Sequence, residues 1–211
     1  RAAAEITDTY TTSELDIGVY FSPRFSVHGH FTFEPVLDPD PGEDRFFEDH
    51  GLYAEQLYAK FTFEPAEVIA GKFGPSFGKA WDDTPGVYGT SLAEDYEIAE
   101  RIGVGFSVSR ENTAIGKVTL NASTFFADTT FLSDSAFTSR GRTDRDDGGL
   151  SNTESLESFA VSLEGEEIPG FPGLTYNIGF IHQAGGVDDV DDQNGFVFGL
   201  NLLVTARFFD T

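Results

Sequence analysis

Apolar and polar side chains alternate with a period of two along much of this chain. Between residues 24 and 34, one face carries Phe25, Val27, Gly29, Phe31 and Phe33, and the other carries Arg24, Ser26, His28, His30, Thr32 and Glu34. This period over eleven residues predicts an extended strand with one apolar and one polar face. A helix would scatter the same phenylalanines around its circumference.

The same alternation predicts about nine strands. They cover residues 14–22, 24–34, 56–64, 67–74, 101–110, 117–126, 157–164, 174–182 and 196–208. The connections alternate between short ones, near Pro23, Pro65, Asn112 and Pro169–Pro172, and long ones, at 35–50, 75–100, 127–156 and 183–195. Within the second long connection, Ser91–Ile102 predicts a short helix capped by Ser91. The pattern indicates an all-β fold of up-and-down antiparallel strands.

The composition is strongly acidic. Asp and Glu total 36 against 13 Lys and Arg, which gives a net charge of −23, and more than half of the acidic residues lie in the long connections. This charge disfavours nucleic acid as a partner and docking on an anionic membrane surface through a basic patch. The chain has no Cys, which excludes disulfides and thiolate chemistry.

Hydropathy limits the kinds of membrane protein to which this chain can belong. No stretch approaches the roughly 18–20 uninterrupted apolar residues of a transmembrane helix, so a helical membrane protein is excluded, whereas a transmembrane β-barrel needs strands of only about 9–11 residues. Arg1–Glu5 lacks the basic and apolar regions of a signal peptide. Short turns at one end and long polar loops at the other predict a transmembrane β-barrel with short periplasmic turns and long acidic extracellular loops.

A soluble or surface-exposed β-sandwich is the alternative fold. Its apolar faces would pack against each other, and its acidic loops would bind Ca²⁺ or carbohydrate. Period two does not separate the two folds, because it does not say which face is inside. A barrel enzyme is a third alternative, but no Gly-x-Ser-x-Gly elbow or other nucleophile–base arrangement supports it. We therefore expect no enzyme activity.

Three segments resemble a known family. Ile69–Gly78, which reads IAGKFGPSFG, resembles the GKF-x-P-x-FG segment of Gram-negative porins, including the phosphate-selective group. Asp38–Tyr53 and Phe125–Leu132 resemble segments of porin-like outer-membrane proteins of alphaproteobacteria. The resemblance runs through most of the chain.

The resemblance implies a passive diffusion channel in the outer membrane of a Gram-negative bacterium. Its partners would be outer-membrane lipid, lipopolysaccharide and small hydrophilic solutes, with a homotrimer as the implied assembly and no cofactor. Residues 1–211 would form a single porin-like domain, with 1–12 as an N-terminal extension. The chain ends on Phe209-Asp210-Thr211 rather than on an aromatic residue, and the predicted strand number is odd where bacterial barrels have an even one. We therefore expect an incomplete part of a larger barrel that lacks C-terminal strands.

The candidate pore residues are basic side chains on the polar faces. The predicted lumen-lining set is Arg24, His28, His30, Lys60, Lys72, Arg101 and Lys117. The long connection 127–156 is predicted to fold inward and narrow the pore, with Arg140, Arg142, Asp144 and Arg145 setting a field across it. The alternative for both groups is hydration of the wall and of a solvated loop. Because loop acids outnumber the bases, we expect cation preference at the mouth.

Two further clusters contain metal-ligand chemistry. Asp188, Asp189, Asp191 and Asp192 supply the hard oxygen atoms that Ca²⁺ prefers, with a solvated acidic loop as the alternative. Asp38, Asp40 and Asp44 form a weaker cluster of the same kind. His28 and His30 have a spacing that can bind a metal, but no third ligand is identifiable.

Overall fold

A computed structural model describes residues 7–79, 96–188 and 191–204. The strands are β1 (Asp8–Thr9), β2 (Ser13–Ser22), β3 (Phe25–Pro35), β4 (Arg45–Phe46), β5 (His50–Phe63), β6 (Ala66–Phe73), β7 (Arg101–Thr113), β8 (Gly116–Ala127), β9 (Ala136–Phe137), β10 (Ser158–Glu166), β11 (Leu174–Gln183) and β12 (Gln193–Leu202). Two 3₁₀ turns, Phe131–Ser133 and Arg145–Asp147, lie in the connection between β8 and β10. No helix among the described residues has the length and hydropathy needed to span a membrane.

The predicted all-β antiparallel fold is confirmed. The nine long strands form one sheet in the order β12-β11-β10-β8-β7-β6-β5-β3-β2, with β9 paired to β5 in addition. Each neighbour in this order is antiparallel. The short connections therefore meet at one end of the sheet and the long connections at the other, as the sequence predicts.

The predicted last strand, 196–208, ends at Leu202 in the structure, and positions 205–208 lie outside the described residues. The start of β5 also differs from the prediction. The strand starts at His50, not at residue 56. Its pairing with β3 shifts where His30 faces Gln56 and Phe31 faces Ala54, because Glu55 is an extra residue on the bulged strand. A bulge reverses the alternation on its strand, so the period of two breaks there although the strand continues.

Three short strands were not predicted, and one predicted helix is not observed among the described residues. The ribbon of β1 and β4 pairs in parallel, and β9 consists of two residues. The predicted helix Ser91–Ile102 is not seen where the chain is described: residues 97–100 are irregular and β7 begins at Arg101. Residues 91–95, with the expected cap, lie outside the described residues.

The two faces of the sheet have opposite chemistry and opposite burial. On β10, Ser158, Ala160 and Ser162 are at most 1% exposed, whereas Phe159 and Val161 are each 40% exposed. We call the face of Phe159 and Val161 the outer face, and the face of Ser162 the inner face. On this strand small side chains are thus enclosed, and large apolar ones are open.

One row of directly paired residues shows how far the outer face extends. It crosses eight strands through Phe25, Phe61, Val68, Phe106, Ala122, Val161, Phe180 and Phe196. Every position in this row, which we call the outer row, is apolar. A neighbouring row on the inner face reads Thr62, Glu67, Ser107, Asn121, Ser162, Gly179 and Val197, and every position there except Val197 at the edge strand β12 is polar or glycine.

The sheet is open. Its edge strands, β2 and β12, pair with one strand each, and they run in the same direction because an even number of antiparallel steps separates them. Apart from the β1–β4 ribbon, the residues described form no second sheet, so the apolar face has no partner layer of the kind that a β-sandwich contains.

Candidate functional site

The chain leaves the sheet after Phe73 and crosses the inner face. We call Gly74–Lys79 the inward segment. The hydroxyl groups of Ser76 and Ser162 lie 2.9 Å apart, and Ser76 Oγ donates to Glu164 Oε1 at 3.0 Å. Lys79 Nζ forms an ion pair with Glu164 Oε2 at 2.6 Å. Polar bonds therefore hold the inward segment on β10, although it starts at β6.

An aromatic anchor fixes the middle of this segment. Phe77 packs against Ile98, Phe125, Ala160 and Ile181, with Val197 beside them. These residues come from four strands and two loops, and they form the apolar core of the inner face. Phe77 is therefore the apolar side chain that ties the inward segment to the wall.

Glycine makes this approach possible. A Cβ atom on Gly179 would lie 2.0 Å from the carbonyl oxygen of Phe77, and one on Gly195 would lie 3.2 Å from the Phe77 ring. A backbone carbonyl cannot move aside as a flexible side chain can, so a larger residue at position 179 would push the segment away from the wall. The close contact of segment and sheet depends on a residue without a side chain.

The crossing requires a strongly curled sheet. Phe73 and Gly179 are four strand-to-strand steps apart, and Gly179 is level with Glu67, six residues before Phe73 on β6. On a flat sheet these positions would be about 28 Å apart, at ~4.8 Å per strand and ~3.3 Å per residue. Yet Phe77 touches Gly179, and four residues reach at most about 14 Å. The inner face is therefore concave.

The connection 128–157, predicted to narrow the pore, lies elsewhere. Ala136 and Phe137 pair with Leu52 and Gly51 on β5, beside the stretch of β5 that β6 leaves unpaired when it ends at Phe73. Other contacts tie the connection to the ends of β8 and β11, where Ser151 accepts from the Ala127 amide and donates to the Ala184 carbonyl. The segment that crosses the inner face is 74–79 instead.

Lys72 occupies a closed ion cluster at this end of the sheet. Its side chain has no exposure, and Nζ lies 2.7 Å from a carboxylate oxygen of Glu100, 2.8 Å from Asp128 and 2.7 Å from the Leu132 carbonyl. Its ladder neighbours belong to the outer face. Residues of the connection 128–157 cover Lys72. Lys72 therefore does not line an open inner surface, contrary to its predicted place in the lumen.

The other constriction candidates belong to the same connection. Arg140 forms an ion pair with Glu100, and its guanidinium lies 3.9 Å from the ring centre of Tyr53. Arg142 donates to the Thr129 carbonyl at 2.8 Å and lies 3.8 Å from Asp144. Arg145 is exposed in a 3₁₀ turn. These side chains order the connection at the long-loop end and do not form facing rows across the inner face.

Local hydrogen bonds also fix charge in the long connections. The Ser139 hydroxyl and the amides of Ser135 and Arg140 donate to Asp134, and these bonds hold the pKa of that carboxyl below its usual value. In the ribbon, Arg45 donates to Asp8 through two nitrogen atoms at 2.9 and 2.7 Å, which lowers the pKa of Asp8.

Four predicted lumen residues do face inward with partners. His28 stacks on Tyr58 with ring centres 5.4 Å apart. His30 Nδ1 lies 2.8 Å from Asp16. Lys60 pairs with Glu67 at 2.8 Å, and Lys117 pairs with Glu166 at 2.7 Å. Most of the basic charge on this face is therefore neutralised locally.

Arg101 and Arg24 differ from these. Arg101 begins β7 on the inner face, and its Nε is buried without a hydrogen-bond partner among the described residues. Arg24 is exposed in the short turn between β2 and β3. The two arginines thus lie at opposite ends of the sheet.

The described residues of the predicted calcium cluster are not arranged as a metal site. Asp189 lies outside the described residues. Asp192 accepts from the Gly185 amide at 2.9 Å, and Asp188 and Asp191 are exposed. In the part of the chain that the structure covers, no three His, Asp or Glu side chains are arranged to hold a metal ion.

Sequence reasoning missed the residues that build the site. Ser76, Phe77, Glu164 and Gly179 carried no chemical motif, and the GPSFG stretch served only as a mark of resemblance. The available signal was the glycine and serine on the polar faces of the last strands, which leave room for another chain segment.

A scan of protein-family models, a search of curated proteins and a search of solved structures each returned no match.

Proposed function

We propose that this chain forms the wall of an outer-membrane, porin-like channel through which small hydrophilic solutes or ions diffuse passively. One observation carries the proposal: the outer row is apolar across eight strands, while the matching inner row is polar or glycine from β5 to β11 and apolar at Val197 on β12. Lipid requires the first pattern, and a water-filled lumen requires the second. Outer-membrane lipid and lipopolysaccharide are then the partners of the outer face.

The exposed apolar area is large for a protein in water. Phe196 and Phe198 on β12 are 83% and 65% exposed. At about 200 Å² per ring these two side chains alone present roughly 300 Å². The largest patch on a typical soluble monomer covers about 300–600 Å² in total. Further exposed apolar side chains of the outer face add to this area, namely those of Leu15, Ile17, Val19, Phe61, Phe63, Val104, Phe106, Leu120, Phe159, Val161, Ile178, Leu200 and Leu202.

A closed barrel is part of the proposal. The edge strands β2 and β12 run in the same direction, so pairing them directly would give a parallel contact. Closure with only antiparallel neighbours takes an odd number of further strands between them, which makes the total even.

The inward segment narrows the proposed passage. It lies on the concave face, anchored by Phe77 and by the bonds of Ser76 and Lys79 to Glu164. Water-filled passages select solutes by the width of the passage and by the charge of its lining. Here the inward segment limits the width of the passage.

The excess of acidic over basic side chains on part of the wall favours cations. Lys60, Lys79 and Lys117 each have a carboxylate partner. Acidic side chains dominate the inner face of β2, β3 and β5, at Glu14, Asp16, Glu34 and Glu55. We therefore expect a modest preference for cations.

Single-channel recording in a planar bilayer under a salt gradient tests the proposal. We expect stepwise conductance and a reversal potential of the sign for cation preference. Phe77→Ala removes the anchor and should raise the conductance and its noise, whereas Phe131→Ala, at an exposed ring in the long connection, should leave both unchanged. Absence of conductance from folded, inserted protein would refute the channel.

A further inference from the structure

A small cavity lies on the inner face beneath the start of the inward segment. Its volume is about 270 Å³, and β5, β6, β7 and β8 contribute to its lining together with Gly74 and Ser76. This volume is just below the range of about 300–1,000 Å³ found for small-molecule sites. The cavity can therefore hold one small solute.

The cavity wall contains a buried hydroxyl group without a partner. Ser123 Oγ is buried and makes no hydrogen bond to any described residue. Ser107 and Asn121 line the same cavity. Asn121 donates both of its described bonds through Nδ2, to Ser162 and to Glu164, so its amide oxygen is the group that it can offer to a ligand. Because Ser123 Oγ has almost no accessible surface, a bound solute would contact the hydroxyl of Ser107 and the amide oxygen of Asn121.

The charges at the cavity cancel. Among the described residues of the lining, Lys60 is the one basic side chain, and it pairs with Glu67, which also lines the cavity, at 2.8 Å. An anion would have to compete with Glu67 for Lys60, and a cation would have to compete with Lys60 for Glu67. The electrostatics therefore favour a ligand without net charge.

Aromatic and aliphatic groups complete the lining. Tyr58, Ile69 and Phe73 contribute apolar surface beside the hydroxyl and amide groups. A pyranose ring has C–H bonds that pack on apolar surface and hydroxyl groups that both donate and accept hydrogen bonds. This combination fits the lining better than a purely apolar or a charged solute does.

We propose that this cavity binds one neutral monosaccharide on its way through the channel. The proposal rests on the channel function for its biological meaning but not for its chemistry, because binding at the cavity requires only the folded protein. It specifies the class of the small hydrophilic solute as neutral and polyhydroxylated.

Saturation-transfer difference NMR on the folded protein in detergent provides the binding test. D-Glucose, D-glucosamine and D-glucuronate share one ring size and differ in charge. We expect saturable transfer to glucose and at least threefold weaker binding of both charged sugars. Equal signals from all three sugars, or none that saturate, would overturn the proposal.

Two serine variants locate the binding. Ser107→Ala removes a hydroxyl group from the cavity and should weaken glucose binding about three- to tenfold, the usual effect of one hydrogen bond. Ser109→Ala is the matched control, two residues further along β7. Its hydroxyl pairs with Thr119 at 2.9 Å and does not line the cavity. Equal effects of both variants would place the sugar elsewhere and refute the site.

Conductance separates this proposal from the channel function. If the protein conducts but glucose does not bind saturably, the sugar site is wrong and the channel stands. If glucose binds with the expected serine dependence and the inserted protein does not conduct, the site stands and the channel is wrong. Ser123→Ala is a second control: its hydroxyl oxygen has no partner among the described residues and almost no accessible surface, so its loss should leave both glucose binding and the stability of the fold unchanged.

Discussion

Placing one charge in the outer row distinguishes a wall in lipid from a wall in water. Val161 lies next to the middle of β10, with Ala122 and Phe180 as its paired neighbours, and it is 40% exposed. Val161→Arg therefore puts a guanidinium on the outer face without filling an enclosed space. Its effect on stability depends almost entirely on the medium that touches this face.

The two media predict different magnitudes. At the middle of a bilayer, an outward-facing Arg on a barrel strand costs about 2–4 kcal/mol. That range corresponds to a roughly 30- to 700-fold change in the unfolding equilibrium. In water, a substitution at an exposed position usually changes stability by about 0.5 kcal/mol or less. The expected difference is several times larger than the error of an unfolding experiment.

Leu156→Arg is the matched control. Leu156 is also an exposed aliphatic residue, at 51%, but it lies in the long connection before β10. The cost of an Arg near a membrane interface falls to about 0–1 kcal/mol. The same change of residue type is thus made once at mid-strand and once beyond the strand end.

Urea unfolding in lipid vesicles, followed by circular dichroism and by the gel mobility of the folded form, measures the effect. With a denaturant slope of about 2 kcal/mol/M, we expect Val161→Arg to lower the midpoint by roughly 1–2 M. Leu156→Arg should leave the midpoint within the error of the wild type. Small and equal shifts in both variants, with all proteins inserted, would refute the assignment of the outer face to lipid.

Two further predictions concern the long-connection end. Lys72→Met leaves the buried Asp128 without its ion-pair partner and Glu100 with Arg140 alone, and should reduce the free energy of unfolding by about 3–5 kcal/mol. Lys117→Met, at a solvated pair, should have a much smaller effect in the same urea titration, and equal effects would contradict the closed cluster. The pKa of Asp8 is lowered by its bonds to Arg45, so this stabilisation is present above the unfolded pKa of about 3.9 and is lost as pH falls through the lower folded value. The protection factors of the amides in the β1–β4 ribbon, taken relative to the intrinsic exchange rate at each pH, should therefore fall below about pH 4, and Asp8→Asn should lose this dependence.

The strands were predictable because each carries its own signal. Alternation in 24–34 or 174–182 needs no distant partner to be visible, and the apolar and polar faces follow from it directly. The start of β5 was not predictable in this way, because the bulge at Glu55 reverses the alternation within one strand. Strand β9 is too short for any period, and its place beside β5 depends on where β6 ends.

The candidate site was harder to predict because its contacts are long-range. Ser76 meets Ser162 across 86 positions of sequence, and local pattern contains no information about such a pairing. Lys72 shows the same limit. Its charge predicts an open polar surface, yet Glu100, Asp128 and the Leu132 carbonyl enclose it completely.

The direction in which each face points follows from volume as well as polarity. An inward-curling sheet leaves less room on its concave side, and the concave side here carries glycine and serine at positions such as Gly105, Ser162 and Gly179. The convex side carries phenylalanine or valine at seven of the eight positions of the outer row. A sandwich places its large apolar side chains between two layers, where packing density is highest. In this sheet a continuous band of large side chains lies on the open face, while the enclosed face carries glycine and serine beside the apolar cluster around Phe77. This distribution of volume is the one expected of a curled wall with its apolar side toward lipid.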